Sequence, residues 1–309
     1  MTNIRPTISV VMIFLNATEY FREAVESVLA QTYTDFDIII SDNASTDNTE
    51  RICLDYAAKD RRIRYYRLEK NLGMAANYKQ VFELRTGEYF KWAAADDICM
   101  PDYLSRCVEV LDSDSSVVLV CAKAMYIDEN GALLSKGAPA WNVLSDYPHE
   151  RLRYIICVQS DAKVDAWSGV VRADALLKTR LIPSYPSGDK RALGELCLFG
   201  KFVEIPEYLY MRREHENASS FNTANVEWME NFFNETSLNV FLPTVRLCVD
   251  HFITVMHSKL FVADKLCLAL ATLKVGYWSK NRVIKEIRIA AKYAVKAFLF
   301  SRGRSPGLR

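Results

Sequence analysis

Thr86-Gly-Glu-Tyr-Phe-Lys-Trp-Ala-Ala-Ala-Asp96-Asp97-Ile-Cys-Met-Pro101 sets two adjacent carboxylates directly after a short apolar run. Gly87 breaks the helical pattern before it, and residues 88–95, rich in aromatic and small side chains, read as a buried strand. Pro101 suits the opening of the next helix, where a missing N–H costs little. In open α/β sheets, ligands bind in the crevice outside the carboxyl ends of the strands. Paired carboxylates at that place suit a divalent ion carrying phosphates, because Mg²⁺-type ions take one or two carboxylates plus substrate oxygens. The same two residues would also serve as a turn capping the helix behind Pro101. The other strand ends decide between these readings.

Upstream, residues 8–15 form a continuous β-branched and apolar run, as expected of a strand buried on both faces. It ends at Asn16, and Thr18 suits the cap of a helix starting near Glu19. Residues 36–41 are a second strand ending at Asp42-Asn-Ala-Ser-Thr-Asp47, before a helix over about 48–59. Residues 63–68 are a third strand, followed by the turn Asn71-Leu-Gly73 and a helix over about 74–84. This alternation predicts βαβ units and a mainly parallel sheet. Right-handed crossovers then bring Asn16, Asp42, Asn71 and Asp96 to one rim. A capping role would need a separate reason at each of them. The chain has no Gly-x-Gly-x-x-Gly and no Gly-Lys-Ser/Thr loop, so a bound nucleotide has no glycine-rich cradle for its phosphates.

The composition is ordinary for a globular protein: 309 residues, 50% hydrophobic, 25% charged. Eight cysteines with no C-x-x-C pair read as core residues in a reducing compartment. No leader pattern and no apolar run of membrane-spanning length is present, so a cytoplasmic protein is expected. The net charge of +1 conceals an asymmetry, −6 over residues 1–224 and +7 over residues 225–309.

Residues 8–112 resemble the donor-binding half of a family 2 inverting glycosyltransferase with the GT-A fold. The matching pieces are Ser9-Val-Val-Met-Ile-Phe-Leu-Asn16, Ser27-Val-Leu-Ala-Gln-Thr-Tyr33, Asp42-Asn-Ala-Ser-Thr-Asp47, Asn71-Leu-Gly73, Gly87-Glu-Tyr-Phe90, and Asp96-Asp97 with Pro101-Asp-Tyr-Leu104. The resemblance implies a nucleoside-diphosphate sugar as donor and Mg²⁺ or Mn²⁺ as cofactor. It assigns Leu15, Asn16, Asp42, Asn71 and Gly73 to nucleotide-sugar binding, Asp97 to the metal, and Asp96 to the metal and the ribose. Two departures stand out. The family's Pro-x-Tyr-Asn is Ile13-Phe14-Leu15-Asn16 here, with no tyrosine to stack on the base, and a frequent further aspartate is Ala95.

Beyond residue 112, residues 117–121 read as a buried strand, and residues 125–131 as a strand entering a hairpin at Asp128-Glu-Asn-Gly131. Residues 136–165 hold His149 and a helical pattern near 151–158, where an acceptor loop is expected. Residues 167–172 are a strand leading into a helix. Asp189 stands at a Gly-kinked helix entry; unaided it reads as a cap, but the resemblance makes it the general base. Glu195, nearly two turns on, competes. In the run Met211-Arg-Arg-Glu-His215, Arg212, Arg213 and His215 suit a diphosphate, and the resemblance lets His215 also complete a metal shell; the alternative is a solvated charge run.

The expected fold class is α/β: a GT-A type, Rossmann-like, mainly parallel sheet with flanking helices and a C-terminal helical extension. The expected organisation is a donor half over 1–112, an acceptor half over 113–222, and helices over 223–309. The last helix divides Lys285, Arg288, Lys292 and Lys296 from Val283, Ile287, Ala290, Ala291, Ala294 and Phe298, each set within an arc of about 80–100°. A basic amphipathic helix over 278–309 reads as peripheral attachment to the inner face of the cell membrane, or as a helix packed with its basic face in water. Nucleic acid is not expected, because the rest of the chain is acidic. The expected function is transfer of a sugar to a cell-surface glycan or lipid-linked acceptor. A sugar-phosphate nucleotidyltransferase and a non-catalytic glycan-binding protein are the alternatives from other classes. The former usually carries a glycine-rich N-terminal loop, and the latter finds support in Ala95.

Overall fold

The structure, a computed structural model, describes residues 7–16, 20–137, 141–157, 165–216, 218, 226–234 and 242–303, with side chains placed from 228 within the 226–234 segment and as far as 291 at the C-terminal end. Its centre is a nine-stranded sheet. The strands are β1 (Ile8–Phe14), β2 (Phe36–Asp42), β3 (Ile63–Arg67), β4 (Tyr89–Ala93), β5 (Ile98–Cys99), β6 (Val117–Ile127), β7 (Leu133–Lys136), β8 (Val170–Arg172) and β9 (Lys201–Arg213). They run in the order β3-β2-β1-β4-β8-β6-β9-β5, with β7 paired to β6. The first four are parallel, and β8 enters antiparallel between β4 and β6. The helices are α1 (Phe21–Leu29), α2 (Thr49–Lys59), α3 (Met74–Glu83), α4 (Tyr103–Ser113), α5 (Pro148–Cys157), α6 (Ala173–Leu176), α7 (Gly188–Leu196), α8 (Val226–Phe233), α9 (Pro243–His257), α10 (Val262–Trp278) and α11 (Lys280–Gly303).

The strands are apolar on both sides because both sides are covered. Val10, Met12, Ile38 and Ile40 pack in one cluster with Phe21 and Val25 of α1 and Cys107 and Leu111 of α4. Their neighbours Val11 and Ile39 face the other way, with Val81 and Phe82 of α3 and Leu152 of α5. Each such side chain contributes about 1.5–3 kcal/mol when fully buried. The alternation fixes the register, since a slip of one residue would exchange the two faces.

The expected strands and helices of the N-terminal half are present to within a residue or two. The residues assigned to the start of α1, Thr18 and Glu19, lie outside the described residues. Two expectations need correction. Pro101 does not open a helix: α4 begins at Tyr103. Between the carboxylate pair and that helix lies β5, antiparallel to β9 through Ile98 opposite Met211 and Cys99 opposite Tyr210. Asp96 and Asp97 therefore stand at a crossing between two strands and do not cap α4. Secondly, residues 117–127 are one strand. It runs parallel to β9 with register shifts where Ala122 and Lys123 face Ile205 and Tyr208. Pro206 and Glu207 have no partner there, as expected where proline removes a ladder donor.

The hairpin at Asp128–Gly131 is as expected: Asp128 Oδ1 accepts the N–H groups of Asn130 at 2.9 Å and Ala132 at 2.8 Å, and Gly131 has φ +83°. The long C-terminal helical pattern breaks after His257 into α9 and α10. Among the described residues, no helix is long and apolar enough to cross a membrane.

Candidate active site

The parallel strands bring the four polar strand ends together. Asp42 ends β2 fully buried; its Oδ1 accepts the Ser45 N–H at 2.7 Å and its Oδ2 the Tyr65 hydroxyl at 2.9 Å. Asn16, with φ 56°, follows Leu15 at the end of β1; its N–H donates to Ser45 Oγ at 2.8 Å and its Oδ1 accepts the Thr46 N–H at 2.9 Å. Asn16 and Asp42 thus hold one loop from two sides. Asn71 Oδ1 accepts from Asn43 Nδ2 and from the Gly73 N–H, both at 2.8 Å. Gly73 has φ +80°, and a Cβ there would lie 2.2 Å from the Phe233 carbonyl oxygen. Only glycine fits under α8 at this point.

Asp97 is gripped from β9. The Tyr210 hydroxyl donates to its Oδ2, and the Arg213 N–H donates to its Oδ1 at 2.8 Å. Burial, and then the charge of Asp96, push the Asp97 carboxyl up to about 7 against the pull of these donors and of Arg212. Asp96 takes His215: Nε2 lies 3.0 Å from Asp96 Oδ2, and the imidazole is buried against the Tyr20 ring, 4.9 Å between centroids.

Arg213 sits at the centre of this cluster. Its Nε donates to the Asp96 carbonyl at 3.1 Å and its Nη1 to the carbonyls of Asp128 and Glu129 at 3.2 and 3.1 Å. Its Nη2 pairs with Glu23. This side chain is buried and ties α1, the 128–131 hairpin and the carboxylate loop together. The run 211–215 is therefore not a solvated charge run.

A second layer lies beneath Asp97. With its proton on Asp97, the Tyr210 oxygen accepts from the Ser168 hydroxyl at 3.0 Å, and the Ser168 carbonyl accepts from the Tyr103 hydroxyl at 3.1 Å and from Lys91 Nζ. Lys91 is wholly buried, 4.4 Å from the Tyr103 ring centroid. Sequence reading passed over Tyr210, Ser168, Tyr103 and Lys91. A lysine inside an otherwise apolar strand was the available signal, since buried charges are paired or hydrogen-bonded.

Asp189 is in the first turn of α7. The cap position is Ser187, held at φ 65°, and it makes no side-chain cap bond. Gly188 lets the turn close on Pro183, whose ring a Cβ would approach to 2.7 Å. Asp189 Oδ2 is buried and accepts no hydrogen bond, and burial raises its carboxyl above the usual aspartate value. The charge of Arg212 acts on both Asp189 and Asp97, and the Tyr78 phenol feels both Asp189 and Asp96. Asp189 and the carboxylate pair are thus within electrostatic reach of the same two neighbours, Arg212 and Tyr78. Arg212 itself is held by Asp165 at 3.1 Å. Glu195 is engaged elsewhere, accepting from the Arg180 N–H and Nε at 2.7 Å each. His149 lies 3.6 Å from Asp264 of α10.

Residues 9–161 match the family model described as Glycosyl transferase family 2. The chain carries a family 2 glycosyltransferase domain. It is 34% identical over 137 residues to an uncharacterized glycosyltransferase of Methanocaldococcus jannaschii, covering 44% of this chain and 47% of that one. It is 33% identical over 132 residues to the chondroitin synthase of Escherichia coli, covering 43% of this chain and 19% of that one. The match thus spans less than half the length of these relatives. Among solved structures, residues 1–349 of S. aureus TarS in complex with UDP-GlcNAc superimpose with TM-score 0.63 at 16% identity, over 88% of this chain and 72% of that 1–349 chain. The mannosyltransferase PcManGT from Pyrobaculum calidifontis, in complex with GDP-Man and Mn²⁺, gives TM-score 0.55 at 14% identity, over 96% of this chain and 76% of that one. The fold is that of the GT-A glycosyltransferases, and the C-terminal helices extend it.

No group of three or more His, Cys, Asp or Glu side chains is gathered as a metal cage among the described residues. The donor set still fits a divalent ion that arrives with a diphosphate. Such an ion takes one or two carboxylates and completes its shell with phosphate oxygens and water. Asp96 and Asp97 supply that number, and burial followed by the charge of Asp96 raises the Asp97 carboxyl, a cost that a bound cation would offset.

Proposed function

We propose that this chain is a metal-dependent, inverting glycosyltransferase. It moves a sugar from a nucleoside-diphosphate sugar to a hydroxyl of a cell-surface glycan or lipid-linked acceptor. The observation that carries this reading is the Asp96–Asp97 pair held at the end of β4 by Tyr210, Arg213 and His215, together with a buried carboxylate oxygen of Asp189 that has no hydrogen-bond donor and feels the same Arg212 charge as Asp97. Family membership and the fold support it.

In this reading Asp42, Asn16, Leu15, Asn71 and Gly73 form the nucleotide side, with the Asn16–Ser45 and Asn71–Asn43 bonds holding the loops that meet the base and ribose. Leu15 offers an apolar contact where relatives stack a tyrosine. Asp96 and Asp97 would hold Mg²⁺ or Mn²⁺, which when bound neutralises charge on the leaving diphosphate. His215 holds Asp96 through its Nε2 and would complete the shell. Arg213 acts by fixing the carboxylate loop, because its donors are already directed to Asp96, Asp128, Glu129 and Glu23. Asp189 accepts the proton of the acceptor hydroxyl as its oxygen bonds to the anomeric carbon. The bond from that carbon to the diphosphate oxygen breaks on the opposite face, so the configuration inverts. A carboxyl raised by burial is a better base near neutral pH than a free aspartate.

The test is the product pair. Nucleoside diphosphate should be released, and the anomeric proton coupling of the product should show inversion. Pyrophosphate release from a sugar phosphate and a nucleoside triphosphate would instead identify a nucleotidyltransferase.

A further inference from the structure

α10 is apolar over most of its circumference, and only part of it is covered. Leu268 and Thr272 are buried toward the domain. On the other side Val262, Leu266, Leu270, Leu273 and Tyr277 are 62–73% exposed, and Phe261 and Trp278 at the two ends of the helix are 83% and 61% exposed. At 100° per residue, Val262, Leu266, Leu270, Leu273 and Tyr277 fall within an arc of about 80°, facing away from Leu268 and Thr272. Ile284 and Ile287 of α11 are also half exposed, at 47% and 52%. Monomeric proteins rarely leave a contiguous apolar stripe of this kind open to water.

The charges around it indicate what covers it. Residues 259–291 hold seven Lys and Arg against two acids, Asp264 and Glu286. Glu286 is buried and bonded to Thr244, and Asp264 lies beside His149. Lys274 and Lys280 sit over the rings of Trp278 and Tyr277, each 4.7 Å from the centroid. Apolar residues rimmed by cations, with Trp and Tyr at the boundary, match the layering of a bilayer interface. A second copy of the chain would bring the same excess of cations against itself.

We infer that α10 docks on an anionic lipid bilayer, lying flat with this stripe in the acyl boundary and the flanking lysines at the headgroups. This adds α10 to the segment 278–309, where sequence periodicity placed the membrane contact. In α11, Glu286 and Ala290 face the protein. The inference stands independently of the sugar-transfer reading, because its readout is lipid binding.

The experiment is flotation of the full chain with vesicles of phosphatidylcholine alone and of phosphatidylcholine with phosphatidylglycerol. The wild type should float with the anionic vesicles and lose binding in high salt. The exposed-face variant L266D/L270D should bind about tenfold less or weaker still, with an unchanged unfolding temperature. The variant K274Q/K280Q should lose the preference for anionic vesicles. Wild type that stays at the bottom of the gradient, or L266D/L270D that floats as well as wild type, would overturn the inference. So would a wild-type dimer in sedimentation equilibrium that L266D/L270D converts to monomer, which would assign the stripe to a second copy.

Discussion

The Tyr210 hydroxyl donates to Asp97 Oδ2 while the N–H three residues on, at Arg213, donates to Oδ1, so one strand edge fixes both oxygens of one carboxylate. This is possible because β5 pairs antiparallel with β9 immediately after the carboxylates. Tyr210→Phe keeps the ring and removes one charge-assisted bond, worth about 1.5–3 kcal/mol. The expected result is a rise of about tenfold or more in the metal concentration needed for half-maximal transfer, with far-ultraviolet circular dichroism unchanged. A variant with wild-type metal dependence would show that Asp97 is positioned without Tyr210.

Asp189→Asn should lower transfer by about 10²–10⁴-fold while nucleotide-sugar binding persists. The same change should raise the melting temperature at neutral pH. The folded-state carboxyl is raised above its unfolded value by burial, so the folded state holds more protons in that window and loses stability as pH rises through it. A neutral isostere removes that loss. In the wild type, kcat/KM should fall on acidification with a midpoint above the ordinary aspartate range. Full activity in the Asn variant would remove Asp189 from the chemistry.

Glu195 was the rival for that role, and its surroundings predict a different phenotype. It binds the Arg180 N–H and Nε at 2.7 Å each, with Thr254 at 3.4 Å and Arg191 at 3.8 Å. Glu195→Gln should cost about 1–3 kcal/mol of stability, toward the low end because Arg180 is half exposed, and leave the donor KM unchanged. Loss of turnover at an unchanged melting temperature would return the base to Glu195.

Gly73→Ala tests the seam between the nucleotide loop and α8. The residue has φ +80° and its new Cβ would meet the Phe233 carbonyl oxygen at 2.2 Å. The expected cost is more than about 1 kcal/mol, measured by urea unfolding, together with a weaker donor affinity. Wild-type stability would mean that α8 does not close on this loop.

Much of this architecture was legible in the chain because periodicity is local. The continuous apolar runs at 8–15 and 36–41 and the helical spacing between them predict a doubly covered sheet, and the sheet itself carries Asn16, Asp42, Asn71 and Asp96 to one rim. The relations that complete the site join residues far apart in sequence. Tyr210 reaches Asp97 across 113 positions, and Arg213 reaches Glu23 across 190. Spacing along one element cannot show such pairs. The β5 strand was hidden for a related reason: two residues are too few for a period, and Pro101 resembled a helix start. In α11, the cations Lys292 and Lys296 belong to side chains outside the described residues, so the expected polar face rests on Lys285 and Arg288, which are exposed.

The central claim, that Asp96 and Asp97 bind a nucleoside-diphosphate sugar through a divalent ion, is tested most directly by thermal unfolding with UDP-, GDP- and dTDP-sugars, with Mn²⁺ and with chelator. One donor class should stabilise the wild type by about 2.7 kcal/mol at a hundredfold excess over its Kd, only with the metal, and Asp97→Asn should abolish the shift. No shift with any donor, or an equal shift in chelator and in Asp97→Asn, would contradict it.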